Sequence, residues 1–342
     1  MKKISLVRWL CALGLLILGS GPVLSNNLQF LLTPPSEVAY LEKDDLNIFG
    51  RKILSEVYYT HALISKTSGD TIPKPEDVDP QVLEEISNLY DDDVLIQRAR
   101  SNFGQTKATF FPDYITTFSL SDIAVTRSGP ATLILSYDVF LPERTSLRSG
   151  TVMSGKPYGR IVVLRWHEKH AMWKIFSYAD FDVPRAMLCD ANLNYVSPKS
   201  QFDASEIELG RKLLLGIQEA SLNSTEKSVQ AEGFQYVFAS GERKTGSGKV
   251  RARVSKIVEP QNVEVIRSGD LLVVRQDTED DSLSIDGGGI EEEEQKRPGL
   301  ITFRLDPDGQ WRMIAIGIFA STKNIGNSTR CLDKRTVLTF LR

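Results

Sequence analysis

The apolar positions change period twice along the chain, in the same order each time. From Asp45 onward Ile53, Leu54, Val57, Tyr58 and His61 recur at helical spacing, which predicts an amphipathic helix capped by Asp44 or Asp45. The stretch from Gly69 to Pro80 carries three prolines and ends that helix. Residues 81–101 predict a second helix, with Val82, Ile86, Leu89, Val94 and Ile96 on its apolar face. The period then shortens. Segments 115–125, 131–140, 160–167 and 173–181 are rich in β-branched and aromatic residues and predict strands, with Gly129-Pro130 and 168–172 as turns. The second half repeats the plan in shorter form. Asp203 caps a helix over 207–222, and strands are predicted over 250–258, 262–266, 271–276, 300–305 and 311–320. Asp306-Pro307-Asp308-Gly309 is a turn, because proline presets φ and glycine tolerates a positive φ. Residues 313–319 are apolar at odd and even positions alike, so that strand should be covered on both faces.

The two halves also share short blocks in register. Gly50-Arg51-Lys52-Ile53-Leu54 returns as Gly210-Arg211-Lys212-Leu213-Leu214. Val125-Thr126-Arg127-Ser128-Gly129 returns as Val265-Ile266-Arg267-Ser268-Gly269, and Trp173-Lys174-Ile175 as Trp311-Arg312-Met313. Three echoes in one order imply a single structural unit used twice. The expected organisation is a leader segment over 26–44, a first unit over 45–191 and a second over 203–342. The polar connector 192–201 forms the boundary.

At 342 residues, with 41% apolar and 25% charged side chains, the chain has material for two separate cores. Its first residues differ from the rest. Lys2, Lys3 and Arg8 precede an apolar run from Leu10 to Leu18, followed by Val23-Leu24-Ser25. This is the build of a secretory signal peptide over 1–25, with a bacterial periplasmic or secreted destination. The alternative is a retained anchor. Without those three residues the 41 basic side chains fall to 38 against 44 acidic ones, a net charge of −6. A surface of that sign argues against nucleic acid as a partner, and the mature chain has no apolar stretch long enough to span a bilayer.

Helices followed by a long curved antiparallel sheet form a recognisable order. With Trp173-Lys174-Ile175 and Phe181, and Asp308-Gly309-Gln310-Trp311-Arg312-Met313 and Phe319, the chain resembles the nuclear-transport-factor-2-like superfamily, which includes SnoaL-like proteins and ketosteroid isomerase. The resemblance implies an α+β fold of two tandem cone-shaped units. In each, N-terminal helices would close a curved antiparallel sheet over a pocket. The outer faces of the two sheets would pack together as a pseudo-dimer within the chain.

Chemistry is sparse. The carboxylate pattern of ketosteroid isomerase matches no position. His61, on the apolar stripe beside Tyr58, is the candidate base of a first-unit pocket, with a hydrogen-bonded core histidine as the plainer alternative. His167 and His170 flank a turn without a third ligand nearby, so no metal or cofactor is expected. The acidic run over 277–297 reads as a solvated hairpin tip. Cys189 and Cys331 follow the two Trp-bearing strands at similar distances and form a disulfide candidate in an oxidising compartment, worth about 5 kcal/mol at most; two free thiols are the alternative. The sequence therefore points to an exported non-catalytic binding or scaffold protein, for a small apolar ligand or an envelope partner. The alternative is a small-molecule hydrolase or isomerase using the first-unit pocket.

Overall fold

The computed structural model describes residues 28–64, 78–97, 104–109, 118–140, 144–145, 152–153, 157–180, 202–238, 243–246, 256–257, 263–279 and 296–318. Residues 1–25, expected to be a signal peptide, Cys189, Cys331 and most of the acidic run lie outside them.

The first half holds helices α1 (Pro35–Val38), α2 (Lys43–His61) and α3 (Pro80–Asn88). Its strands are β1 (Tyr90–Gln97), β2 (Ser119–Arg127), β3 (Thr132–Phe140), the two-residue β4 (Arg144–Thr145) and β5 (Val152–Met153), β6 (Pro157–His167) and β7 (Met172–Asp180). The second half holds α4 (Ala204–Leu222), β8 (Gln230–Phe238), β9 (Arg243–Thr245), β10 (Lys256–Ile257), β11 (Glu264–Ser268), β12 (Leu271–Glu279), β13 (Lys296–Leu305) and β14 (Trp311–Ile318). The first sheet runs β1-β7-β6-β3-β2, with β1 parallel to β7 and the other neighbours antiparallel. The second sheet runs β8-β14-β13-β12-β11, with β8 parallel to β14. Strands β9 and β10 are additions at its edges. Two halves with one strand order and one parallel closure are the same α+β unit used twice.

The repeated sequence blocks are tertiary neighbours. A Cβ placed on Gly50 in α2 would lie 2.3 Å from Val125 Cγ2 in β2, and one on Gly210 in α4 would lie 2.6 Å from Val265 Cγ2 in β11. The first echo in each half is thus pressed onto the second. A glycine is needed because the helix crosses the sheet with no room for a methyl group.

Buried apolar residues form three layers. Leu54, Val57 and Tyr58 of α2 pack with Val125, Leu135, Val162 and Trp173 of the first sheet. Leu214 and Ile217 of α4 pack with Val265, Val274, Phe303 and Ile316 of the second. Between the sheets, Ile134, Val163 and Phe176 meet Leu271, Val273, Ile314 and Ala315. Strand β14 is covered on both faces, as its unbroken apolar run implies: Met313 and Ile316 face the helix layer, Ile314 and Ala315 the other sheet.

The contacts between the sheets are reciprocal, the mark of a two-fold relation. Arg165 stands opposite Thr132 in the first sheet, and Arg304 opposite Leu271 at the same place in the second. Arg165 Nη1 donates to the Ser268 carbonyl at 3.0 Å, and Arg304 Nη1 donates to Ser128 Oγ at 2.7 Å. Each arginine so reaches the repeated Ser-Gly turn of the other unit. Ser177 Oγ and Thr302 Oγ1 share a buried hydrogen bond of 2.8 Å at the centre.

Two expectations need correcting. The helix predicted over 81–101 stops at Asn88, and Tyr90–Gln97 is a strand. Local periodicity lost to tertiary pairing, because Leu95, Ile96 and Gln97 complete the ladder of β7. Its counterpart β8 was absent from the expected elements for the same reason. Helix α2 begins at Lys43 with Glu42 at the cap position and no side-chain cap bond, while Asp44 and Asp45 lie in its first turn. Asp203, by contrast, accepts from the Ser205 and Glu206 N–H groups as a cap should. Residues of the expected leader segment hydrogen-bond to the first unit. Glu56 accepts from the Phe30 and Leu31 N–H groups at 2.8 Å each, and Trp173 Nε1 donates to the Thr33 carbonyl at 2.8 Å.

Candidate functional site

The inner face of α2 turns toward the concave side of the first sheet because Leu54, Val57, Tyr58 and His61 fall on one stripe. Opposite them stand Tyr90 at the head of β1, Tyr137 of β3, Arg160 and Val162 of β6, and Tyr178 of β7. Both sequence-predicted residues, Tyr58 and His61, therefore line the same cavity. Tyr90, Tyr137, Arg160 and Tyr178 complete it and were not singled out. Tyr137 shares a face of β3 with Leu133 and Leu135, so inward alternation was a signal for it.

These polar groups engage one another. Arg160 Nη1 donates to Tyr58 Oη at 2.6 Å, and Tyr58 Oη and Tyr137 Oη share a bond of 3.3 Å. His61 Nε2 and Tyr90 Oη share another of 3.0 Å. The Arg160 guanidinium lies 5.7 Å from the Tyr58 ring centre and 5.5 Å from that of Tyr178. Burial pushes the Tyr137 hydroxyl well above its ordinary pKa, the neighbouring Tyr58 adding to this and Arg160 opposing it. Tyr137 is thus a neutral phenol at any physiological pH.

The remaining free space is about 10 Å³, roughly what one water molecule requires. No carboxylate lines the cavity among the described residues. A proton transfer would fall to His61, whose Nε2 is already held by Tyr90. The arrangement can orient a water or a single small polar group. It has no room for a substrate carbon skeleton.

The second unit keeps the frame and changes the lining. Gln276 of β12 takes the place of Tyr137, and Gly299 of β13 takes that of Arg160. The β12–β13 ladder is regular, so Gln276 shares the inward face with Leu272 and Val274, both in the α4 core. The residue is 2% exposed, and neither its amide oxygen nor its amide nitrogen has a hydrogen-bond partner among the described residues. A buried amide in that state costs about 1–3 kcal/mol, so it calls for an explanation.

His167 precedes the turn at 168–170 and His170 ends it, their ring centres 4.7 Å apart. Among the described residues no group of three or more metal-ligating side chains converges, and no helix is long and apolar enough to cross a membrane.

No family model matches the chain, and no curated protein matches it either. Among solved structures it is similar to a nuclear-transport-factor-2-like protein from Cytophaga hutchinsonii, with 19% identity over 35% of this chain and 99% of that one (TM-score 0.27). It is also similar to one of unknown function in nutrient uptake from Rhodospirillum rubrum, with 14% identity over 37% and 95% (TM-score 0.26). A third, from Novosphingobium aromaticivorans and described as having a cystatin-like fold, shares 16% identity over 34% and 81% (TM-score 0.25).

Proposed function

We propose that the protein is an exported, non-catalytic binding protein that carries a small, largely apolar molecule in its second cone. The observation that carries this reading is Gln276. Its amide offers a donor and an acceptor to an otherwise apolar inward face, and a ligand with a carboxyl, amide or carbonyl group would satisfy it. The first cone supports the same reading from the other side, because Arg160, Tyr58, Tyr137, Tyr90 and His61 are hydrogen-bonded to one another and leave space for about one water.

A hydrolase or isomerase working in the first cone would need a base with an open face and volume for a substrate. The Tyr90–His61 bond and the small free volume of the cavity weigh against both. An envelope protein held on the outer surface remains compatible with the non-catalytic reading, and the same experiment separates it. Native mass spectrometry of the mature protein should show a retained small molecule in the wild type and a bare mass in Gln276→Met. A bare wild type, or an adduct untouched by Gln276→Met, would overturn the second-cone assignment. A protein-sized adduct would favour the envelope partner.

A further inference from the structure

A larger opening lies outside both cones, where the two units meet. It has a volume of about 270 Å³. Pro35 and Ala39 of the N-terminal segment and Pro130 of the β2–β3 turn supply its accessible apolar surface, while Val38, Leu133 and Trp173, which also line it, are buried. Two opposite charges share it: Arg127 from the first unit and Glu232 from β8 of the second.

Arg127 is half-committed. Its Nη1 donates to the carbonyls of Val38 at 2.7 Å and Leu41 at 3.0 Å, which uses both hydrogens of that nitrogen. The Nε and Nη2 hydrogens meet no acceptor among the described residues, and that edge of a guanidinium binds a carboxylate through two parallel hydrogen bonds. Glu232 is exposed and takes part in no ion pair or hydrogen bond among the described residues. Both charges are nevertheless held on a rigid junction. Thr126 Oγ1 donates to the Gly233 carbonyl, and a Cβ on Gly233 (φ +78°) would lie 2.2 Å from the Arg127 carbonyl oxygen.

The pseudo-symmetric counterpart shows what a closed version looks like. There Arg267 stacks 5.4 Å from the Trp311 ring centre, and Asp92, which matches Glu232 in strand register, pairs with Lys107 at 2.7 Å. The second position has its charges answered within the protein. The first leaves an acid and a base lining one cleft with no ion pair between them among the described residues.

We propose that this cleft binds a small zwitterion with an apolar body, of the class of a free aliphatic amino acid. Its carboxylate lies on Arg127, its ammonium on Glu232 and its side chain against Pro35, Ala39 and Pro130. The volume, just under that of drug-sized pockets, suits a ligand of that size. This site uses neither cone and goes beyond the function proposed above.

The test is titration calorimetry of the full chain with L-leucine, N-acetyl-leucine and leucinamide as probes. Leucine is expected to bind about tenfold or more tightly than either blocked derivative, since each has lost one charge-assisted contact. Glu232→Gln, a change at an exposed position, should weaken leucine by a similar factor and erase its preference over N-acetyl-leucine. Arg127→Lys, which keeps the charge and loses the fork, should narrow the preference over leucinamide without abolishing it. Gln276→Met should leave leucine binding unchanged, which separates this site from the second cone. Equal affinity for all three probes, absence of leucine binding, or leucine binding indifferent to Glu232→Gln would overturn the proposal.

Discussion

Replacing Gly50 by alanine tests the helix–sheet contact that both halves share. In an exposed helix the change would stabilise by about 1 kcal/mol, since glycine is the poorest ordinary helix former. At Gly50 the new methyl would stand 2.3 Å from Val125 Cγ2 and 3.2 Å from Leu135 Cδ2. Neither neighbour can give way easily: Val125 is β-branched and buried, and Leu135 sits in the middle of β3. Relieving the first contact needs a shift of more than 1 Å, and overpacking of that kind costs about 1–3 kcal/mol. The net expectation is a loss of up to about 2 kcal/mol for Gly50→Ala. Gly210→Ala should lose less, because its nearest contacts are 2.6 and 3.4 Å. Gly216, in α4, has nothing within 4 Å of its Cβ position, so Gly216→Ala should stabilise by about 1 kcal/mol. Urea denaturation of the three variants gives the ranking directly, and Val125→Ala in the Gly50→Ala background should recover part of the loss. If Gly50→Ala and Gly210→Ala stabilised the protein as Gly216→Ala does, the close crossing would be wrong in both units.

Other consequences follow from single residues. Gln276→Met should raise the stability of the ligand-free protein by about 1–3 kcal/mol, seen as a higher melting temperature, because it removes an unsatisfied buried amide at similar volume. A lower melting temperature would mean that the amide has partners. Burial holds the Glu56 carboxyl above its ordinary value, against the pull of the Phe30 and Leu31 N–H groups. The folded protein therefore binds the extra proton between pH 4.5 and that raised value, and the stabilisation this brings is lost as pH rises through it. Relative to Glu56→Gln, the wild type should gain stability as the pH falls from neutral toward 4.5, and a flat difference across that range would refute the assignment. Ser128→Ala removes the acceptor of Arg304 Nη1 across the junction and should cost about 1–3 kcal/mol in the same denaturation assay. No loss would remove that contact from the account.

Much of the frame was legible because the residues that repeat are those the fold cannot vary. Gly50 and Val125, like Gly210 and Val265, recur together because they touch. The unbroken apolar run of β14 announced two covered faces. Strand β1 was hidden for a physical reason. Asp91, Asp92 and Asp93 interrupt any alternation, and Val94 and Ile96 extend the apolar stripe of α3 at helical spacing. Only pairing with β7, some eighty residues on, decides the matter, and a window along the chain does not contain it. The candidate site was half legible. His61 and Tyr58 declared themselves by the stripe of α2, whereas Tyr90, Tyr137 and Arg160 join them through the curvature of the sheet. Gln276 drew no attention, since an unsatisfied amide is a property of surroundings.

The doubling itself is tested by joining the sheets across their shared face. Ser177 and Thr302 lie in different units, both buried, with their side-chain oxygens 2.8 Å apart, so cysteines at the two positions fall within reach of a disulfide. The measurement is non-reducing peptide mapping of Ser177→Cys/Thr302→Cys after mild oxidation, with Cys189 and Cys331 replaced by serine. A cross-linked 177–302 peptide pair from folded protein is the predicted result. Two free thiols in protein that is folded and oxidised would contradict the face-to-face packing of one unit on its repeat.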